Sequence, residues 1–400
     1  MSYPEVIEQS NQVLKALVDA GERVLGYIYP HPPHEIIIAH GLKPSLVRTN
    51  PSVVGAYEAS LQTFSCSLTR NLFSQRVNNS FPQLAGIVFS GNTCDALQNV
   101  GDVWRKRFPK DNVFRLTYPV GDLGASSVDF LAMEIKALSD ELASLYGEEF
   151  SESSFREAIM LLDEIRNALQ LLYCVRILHP SLISYNTLSS LVGEFLTAPT
   201  QEAADRIKMT WNEVLERIEN MGQRNKVGQL RDSLLNHDLS DFETVIDTSG
   251  PRIAVIGGMI EPNTVAGLLE NVHGISDTTL VLDMLSFGFK TVFTPPVGIE
   301  DDPYEESARS ILGAHSEPTQ EGLPKRITFL KDVLTRLSIH GLIVCEQSFC
   351  DPDEFESPSL ERAAKEVGVP TVKLPLDSEL SDRARIEGRI QTFLETIDDN

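Results

Sequence analysis

Residues Ala85–Trp104 read AGIVFSGNTCDALQNVGDVW. The apolar run Ala85–Phe89 has the length and composition of a buried strand, Ser90–Thr93 those of a turn, and Asp95 onward the periodicity of a helix. Cys94 therefore stands where a strand's carboxyl end gives way to a helix. The arrangement recurs in HGLIVCEQSFCDPDEFESPSLERAAKEVGVP, His340–Pro370, with Cys350 at the junction. In open α/β sheets, loops at the carboxyl ends of strands are where ligands bind. A thiolate at a helix N-terminus is favoured there by the free backbone N–H groups.

Working outward, the first third alternates strand and helix. Arg23–Pro30 (RVLGYIYP) reads as a strand, Pro33–Leu42 as a short helix opened by proline, and Ala56–Phe73 as a longer helix carrying Cys66. Val113–Pro119 (VFRLTYP) is a further strand. From about Ser126 the pattern is helical alone, through Asp129–Gly147, a capping box at Ser154 and Glu157 that opens Phe155–Leu178, and amphipathic stretches to about Leu235. Alternation resumes at Pro251. Arg252–Gly258, Thr279–Leu285, Lys290–Pro296, Gly341–Glu346 and Thr371–Leu376 are strand candidates, with helices at Leu360–Gly368 and Ser381–Ile397. The expected fold class is α/β, two Rossmann-like domains with an intervening helical section: 1–125, 126–248 and 249–400. There is no internal repeat of short period and no low-complexity tract.

With 400 residues and 42% hydrophobic content, two cores are the default. The stretch Tyr3–Leu17 mixes Glu, Gln, Asn and Lys among apolar residues, and no run of eighteen apolar residues occurs, so neither a leader nor a membrane span is expected and the chain is placed in the cytoplasm. A net charge of −23 argues against nucleic acid as the partner, since affinity for phosphate backbones rests on Lys and Arg. Five cysteines, an odd number, make no disulfide framework in a reducing compartment, leaving metal binding, catalysis or core packing. The positions of Cys66, Cys94 and Cys350 suggest one shared iron-sulfur site, although lone cysteines are commonly packed core residues and no C-x-x-C spacing is present. Cys345, inside an apolar strand, and Cys174, mid-helix, read as core. His31, His34 and Glu35 cluster at a proline-rich turn, where they either orient a substrate and move a proton or are simply solvated. Gly257 and Gly258 follow a strand without G-x-G-x-x-G spacing and read as a tight turn.

Three segments carry a family resemblance. Gly26–Pro44 (GYIYPHPPHEIIIAHGLKP), Ser348–Asp377 (SFCDPDEFESPSLERAAKEVGVPTVKLPLD) and Gly388–Glu395 (GRIQTFLE) resemble the signatures of the 2-hydroxyacyl-CoA dehydratase and benzoyl-CoA reductase subunit family. The resemblance implies one 4Fe-4S cluster between two α/β domains, held by Cys66, Cys94 and Cys350. It also implies a homologous second subunit, a separate ATP-hydrolysing iron-sulfur activator and a CoA-thioester substrate. Three thiolates leave one iron of a cubane open, and in the family a low-potential electron passes through such a cluster into a thioester carbonyl. The chain has no G-x-x-x-x-G-K-[ST] loop, so nucleotide hydrolysis is assigned elsewhere. His34 and Glu35 are the catalytic candidates, and a pocket lined by the turn His31–Glu35 and the cysteine loops is expected between the domains. Two departures from the family stand out: Leu280–Val292 keeps Asp283, Gly288 and a basic Lys290 but has one acid fewer, and the loop His315–Gln320 lacks a cysteine found in some relatives. Five cysteines cannot supply six ligands, so one cluster is the ceiling. The alternative to a catalytic subunit is a cluster-carrying partner subunit without its own substrate site.

Overall fold

A computed structural model describes residues 12–121, 124–147, 149–243, 250–269, 272 and 279–398. It contains two four-stranded, all-parallel sheets separated by a run of helices. The first sheet, in the order β2-β1-β3-β4, is built from β1 (Val24–Tyr27), β2 (Lys43–Leu46), β3 (Gly86–Gly91) and β4 (Val113–Thr117). The second repeats the plan as β6-β5-β7-β8, from β5 (Ile253–Gly257), β6 (Leu280–Met284), β7 (Gly341–Gln347) and β8 (Thr371–Leu376). β1, β3, β5, β6 and β7 are buried along their whole length, which is why they read as unbroken apolar runs, whereas edge strands β4 and β8 are half-exposed. β3 and β7 occupy matching positions in the two sheets, so Cys94 and Cys350 leave matching carboxyl ends.

The helical section runs from Ala125–Tyr146 through Glu152–Leu178, Tyr185–Thr197 and Gln201–Asn220 to Arg224–Leu235. Its long central helix is pinned to the second sheet by polar contacts. Arg176, fully buried, donates to the carbonyls of Leu280, Pro180 and Ile183, and Arg252 donates to Ile177 O at 2.7 Å. On the other side Tyr27 of β1 donates to Leu196 O at 2.8 Å. A buried ion pair, Arg48 with Glu261, joins the end of β2 directly to the loop after β5.

Several local expectations are corrected. Residues 56–66 are turns and bends, and the helix expected over Ala56–Phe73 begins only at Ser67 with Cys66 as its N-cap; Ala56 has φ +70°, which a helix cannot accommodate. Lys43–Leu46, for which the sequence pattern suggests no element, is a strand; Pro44 is tolerated because β2 is an edge strand. The helix Glu152–Leu178 is capped by Ser151, whose hydroxyl accepts from Ser154 N, three residues earlier than expected. Lys290–Pro296 is no strand. The chain turns there through a π-helical segment, Ser286–Lys290, organised by Asp283, whose carboxylate accepts from Tyr173 and Tyr185 hydroxyls at 2.7 and 3.0 Å and from Phe289 N at 3.0 Å. The boundary expected at 248 and 249, and residues 3–11 of the N-terminal stretch, lie outside the described residues.

Candidate functional site

Cys66, Cys94 and Cys350 are each the N-cap residue of a helix: Ser67–Val77, Asp95–Arg107 and Asp351–Glu366. Each thiol thus lies beside backbone N–H groups that have no intrahelical partner. Cys94 uses this directly, its Sγ accepting from Leu97 N at 3.4 Å. Phe349 turns the chain into Cys350 at φ +61°, an uncommon conformation for a phenylalanine, and Cys350 N closes the turn onto Gln347 O at 2.9 Å. Gly258 packs against this turn because a Cβ there would lie 2.3 Å from Asp353 Oδ1. The glycine pair is therefore a close-approach device, a tight turn and not a phosphate loop.

The two halves meet at the cysteines. Ser67 N donates to Ser348 O at 3.0 Å, and the Gln347 amide donates to the Ser67 hydroxyl. These bonds bring Cys66 and Cys350 face to face, 5% and 6% exposed. Hydrogen bonding from Cys350 holds the Cys66 thiol below its ordinary range, while the same contact and burial push Cys350 up. Burial pushes Cys94 up to about 12, and the neighbouring Cys66 adds to this. Cys174 and Cys345 are buried apart from this group, in the long helix and in β7, with thiols raised chiefly by burial. Among the described residues, no three His, Cys, Asp or Glu side chains converge on one ion's position.

Carboxylates and a lysine complete the surroundings. Asp353 accepts from Gln347 N at 2.9 Å, and its burial raises it to about 7. Glu317, 0% exposed, takes Thr319 Oγ1 at 2.6 Å on one oxygen, and its other oxygen has no hydrogen-bond partner. Its charge reaches Cys94, His31, Asp353 and Lys290. The sequence offered only one signal for it, an acid in an otherwise ordinary loop that lacks a cysteine. Lys290, also buried, is held below its ordinary range by desolvation.

The turn His31–Glu35 is not solvated. His34 is 1% exposed, its ring lies against Tyr27 and Phe195 at 5.1 and 5.9 Å, and neither ring nitrogen has a hydrogen-bond partner. Burial lowers His31 to about 4 and His34 well below the usual histidine range, so both are neutral at pH 7, and it raises Glu35. With Arg166 and Ser310 these residues enclose a cavity of about 10 Å³, the room of one water. The expected pocket is displaced: a cavity of about 830 Å³ instead opens at the carboxyl ends of β5 and β6, lined by Ile256, Met284, Phe289, Lys290, His315 and Phe329 among others.

A family model described as "2-hydroxyglutaryl-CoA dehydratase, D-component" matches residues 30–397. The chain is 20% identical over 400 residues to the (R)-phenyllactyl-CoA dehydratase beta subunit of Clostridium sporogenes, covering 99% of this chain and 97% of that one. It is 20% identical to the beta subunit of lactoyl-CoA dehydratase from Anaerotignum propionicum, covering 95% and 93% of the two chains. To a benzoyl-CoA reductase subunit of Thauera aromatica it is 21% identical, with coverage of 95% and 92%. With nearly the whole chain matched, it belongs to the 2-hydroxyglutaryl-CoA dehydratase D-component family of dehydratase and reductase subunits.

Proposed function

We propose that this chain is the iron-sulfur subunit of a 2-hydroxyacyl-CoA dehydratase or benzoyl-CoA reductase-type enzyme, with Cys66, Cys94 and Cys350 holding one 4Fe-4S cluster. The observation that supports this reading is the contact of two helix-capping cysteines from the two halves of the chain, Cys66 against Cys350, with Cys94 capping a third helix within reach of the Cys66 charge. The donor set is all thiol, as a soft iron-sulfur centre requires and a hard cation does not. Three helix N-termini favour the anionic forms of these sulfurs.

When bound, such a cluster supplies one-electron transfer to a CoA thioester. The chain's own residues provide the dry surroundings: Glu317 and Asp353 set the local charge, and His34 and Glu35 are buried side by side in the chain after β1. A low-potential electron would reach it from an ATP-driven activator, and a homologous second subunit would complete the enzyme; the relatives are themselves named as subunits of dehydratases and a reductase.

The second reading, a cluster-carrying partner without its own substrate site, is separated by turnover. With a homologous subunit, activator, reductant and oxygen excluded, the enzyme reading predicts conversion of a 2-hydroxyacyl-CoA or an aromatic acyl-CoA that disappears in a Lys290→Met variant still holding its iron. Turnover indifferent to that substitution would assign the substrate site to the partner.

A further inference from the structure

The cavity of about 830 Å³ has walls of unusual composition. His237 and His315 stack at 3.6 Å between ring centroids, and His315 lies 4.8 Å from Phe289 and 4.7 Å from Phe329. Phe289 and Phe329 face each other at 6.4 Å with an interplanar angle of 21°. His315 is anchored by its Nε2 contact to Leu234 O at 2.8 Å, so the ring group is fixed, not loose. Ile256 and Met284 supply the apolar floor from the ends of β5 and β6.

Into this largely apolar space the chain places one buried cation, Lys290, on which the charges of Glu317, Glu356 and Asp353 act. Of the other cations lining it, the Arg326 guanidinium is committed to Glu356, with both bonds at 2.9 Å, and Lys325 is exposed, so Lys290 is the buried cation placed to meet a polar atom of a ligand. Small-molecule sites combine such features, an apolar body of a few hundred Å³ with one or two placed polar groups, at the carboxyl ends of parallel strands.

We infer that this cavity receives the acyl end of a CoA thioester whose acyl group carries an aromatic ring, the ring lying among Phe289, His315 and Phe329 and the thioester carbonyl accepting a hydrogen bond from Lys290. The inference rests on the thioester reading above and narrows it to aryl substrates. Offset and edge-on ring contacts, each favourable beyond simple burial, distinguish an aromatic ring from a saturated one of the same size. A lysine ammonium in place of a guanidinium suits a single carbonyl oxygen, where a bidentate partner would suit a carboxylate.

The test is calorimetric titration of the full chain, without oxygen, with benzoyl-CoA, cyclohexanecarbonyl-CoA and free CoA. Benzoyl-CoA should bind about tenfold more tightly than its saturated counterpart, the sum of two or three ring contacts. Phe329→Leu should reduce that preference to about twofold, and Lys290→Met should weaken both thioesters about tenfold while leaving free CoA unchanged. Equal affinities for the two acyl groups, or no binding of either, overturn the inference on the native chain alone, whether or not the variants fold. A preference that survives in a folded Phe329→Leu variant also overturns it. Titration requires no iron: aryl preference in a chain that takes up no cluster would refute the iron-sulfur reading and leave the pocket, and iron uptake without aryl preference would do the reverse.

Discussion

Cys350 and Cys174 are both buried cysteines, yet their surroundings assign them opposite parts. Replacing Cys350 by Ser puts a hard hydroxyl where a soft thiolate is needed, so reconstituted Cys350→Ser should hold little iron by colorimetric assay. Cys174→Ala should keep its iron at a packing cost of about 1 kcal/mol. His31 gives a pH prediction. Burial lowers it to about 4, so between the free-histidine value near 6.5 and that value the unfolded chain binds a proton that the folded chain refuses. Stability from this group is full above pH 6.5 and is lost as pH falls; at pH 5 the loss is about 2 kcal/mol. Denaturant unfolding at pH 7 and pH 5 should show a difference smaller by about that amount in His31→Gln than in the native chain. An unchanged difference would mean that His31 is hydrated in solution. Glu317 was beyond reach of the sequence, because nothing in a lone loop acid reveals that folding seals it from water within reach of a helix-capping cysteine more than 200 positions away.

At the scale of elements, the strand–turn–helix units around Cys94 and Cys350 were legible because buried parallel strands are unbroken apolar runs and the turns after them are polar. The helix start at Cys66 was not, since Ala56–Phe73 has acceptable helical composition and only the positive φ at Ala56 and the cap at Cys66 cut it short. The apolar KTVFTPP was misleading for another reason: buried from Lys290 to Thr294, it looks like a strand, but Asp283 gathers the backbone N–H of Phe289 and two tyrosine hydroxyls and bends the chain into a π-turn just before it. Gly258 offers a test at this scale. Gly258→Ala sets a methyl against the Asp353 carboxylate and should destabilise the fold by about 1–3 kcal/mol while displacing the Cys350 turn, read as a lower melting temperature together with reduced iron uptake. A variant that melts normally and loads fully would show the turn to be more compliant than its packing implies.

For the molecule as a whole, two sheets of the same order present matching carboxyl ends, and the helical section and the Arg48–Glu261 pair hold them together. The two-sheet plan and the helical middle followed from periodicity; the site's composition did not, because it is made by residues more than 250 positions apart, Ser67 with Gln347 and Asn71 with Glu379. The expected pocket near His31–Glu35 failed for the same reason: that turn is covered by Arg166 of the central helix and by Ser310, leaving room for one water. The central claim, one cluster shared across the two halves, is tested most directly by iron and sulfide content after anaerobic reconstitution of the native chain beside Cys66→Ser, Cys94→Ser and Cys350→Ser. The native chain should hold about four irons, each of the three variants should lose most of them, and Cys345→Ala should retain its load. Iron-free native protein, or equal iron in all the variants, would contradict it.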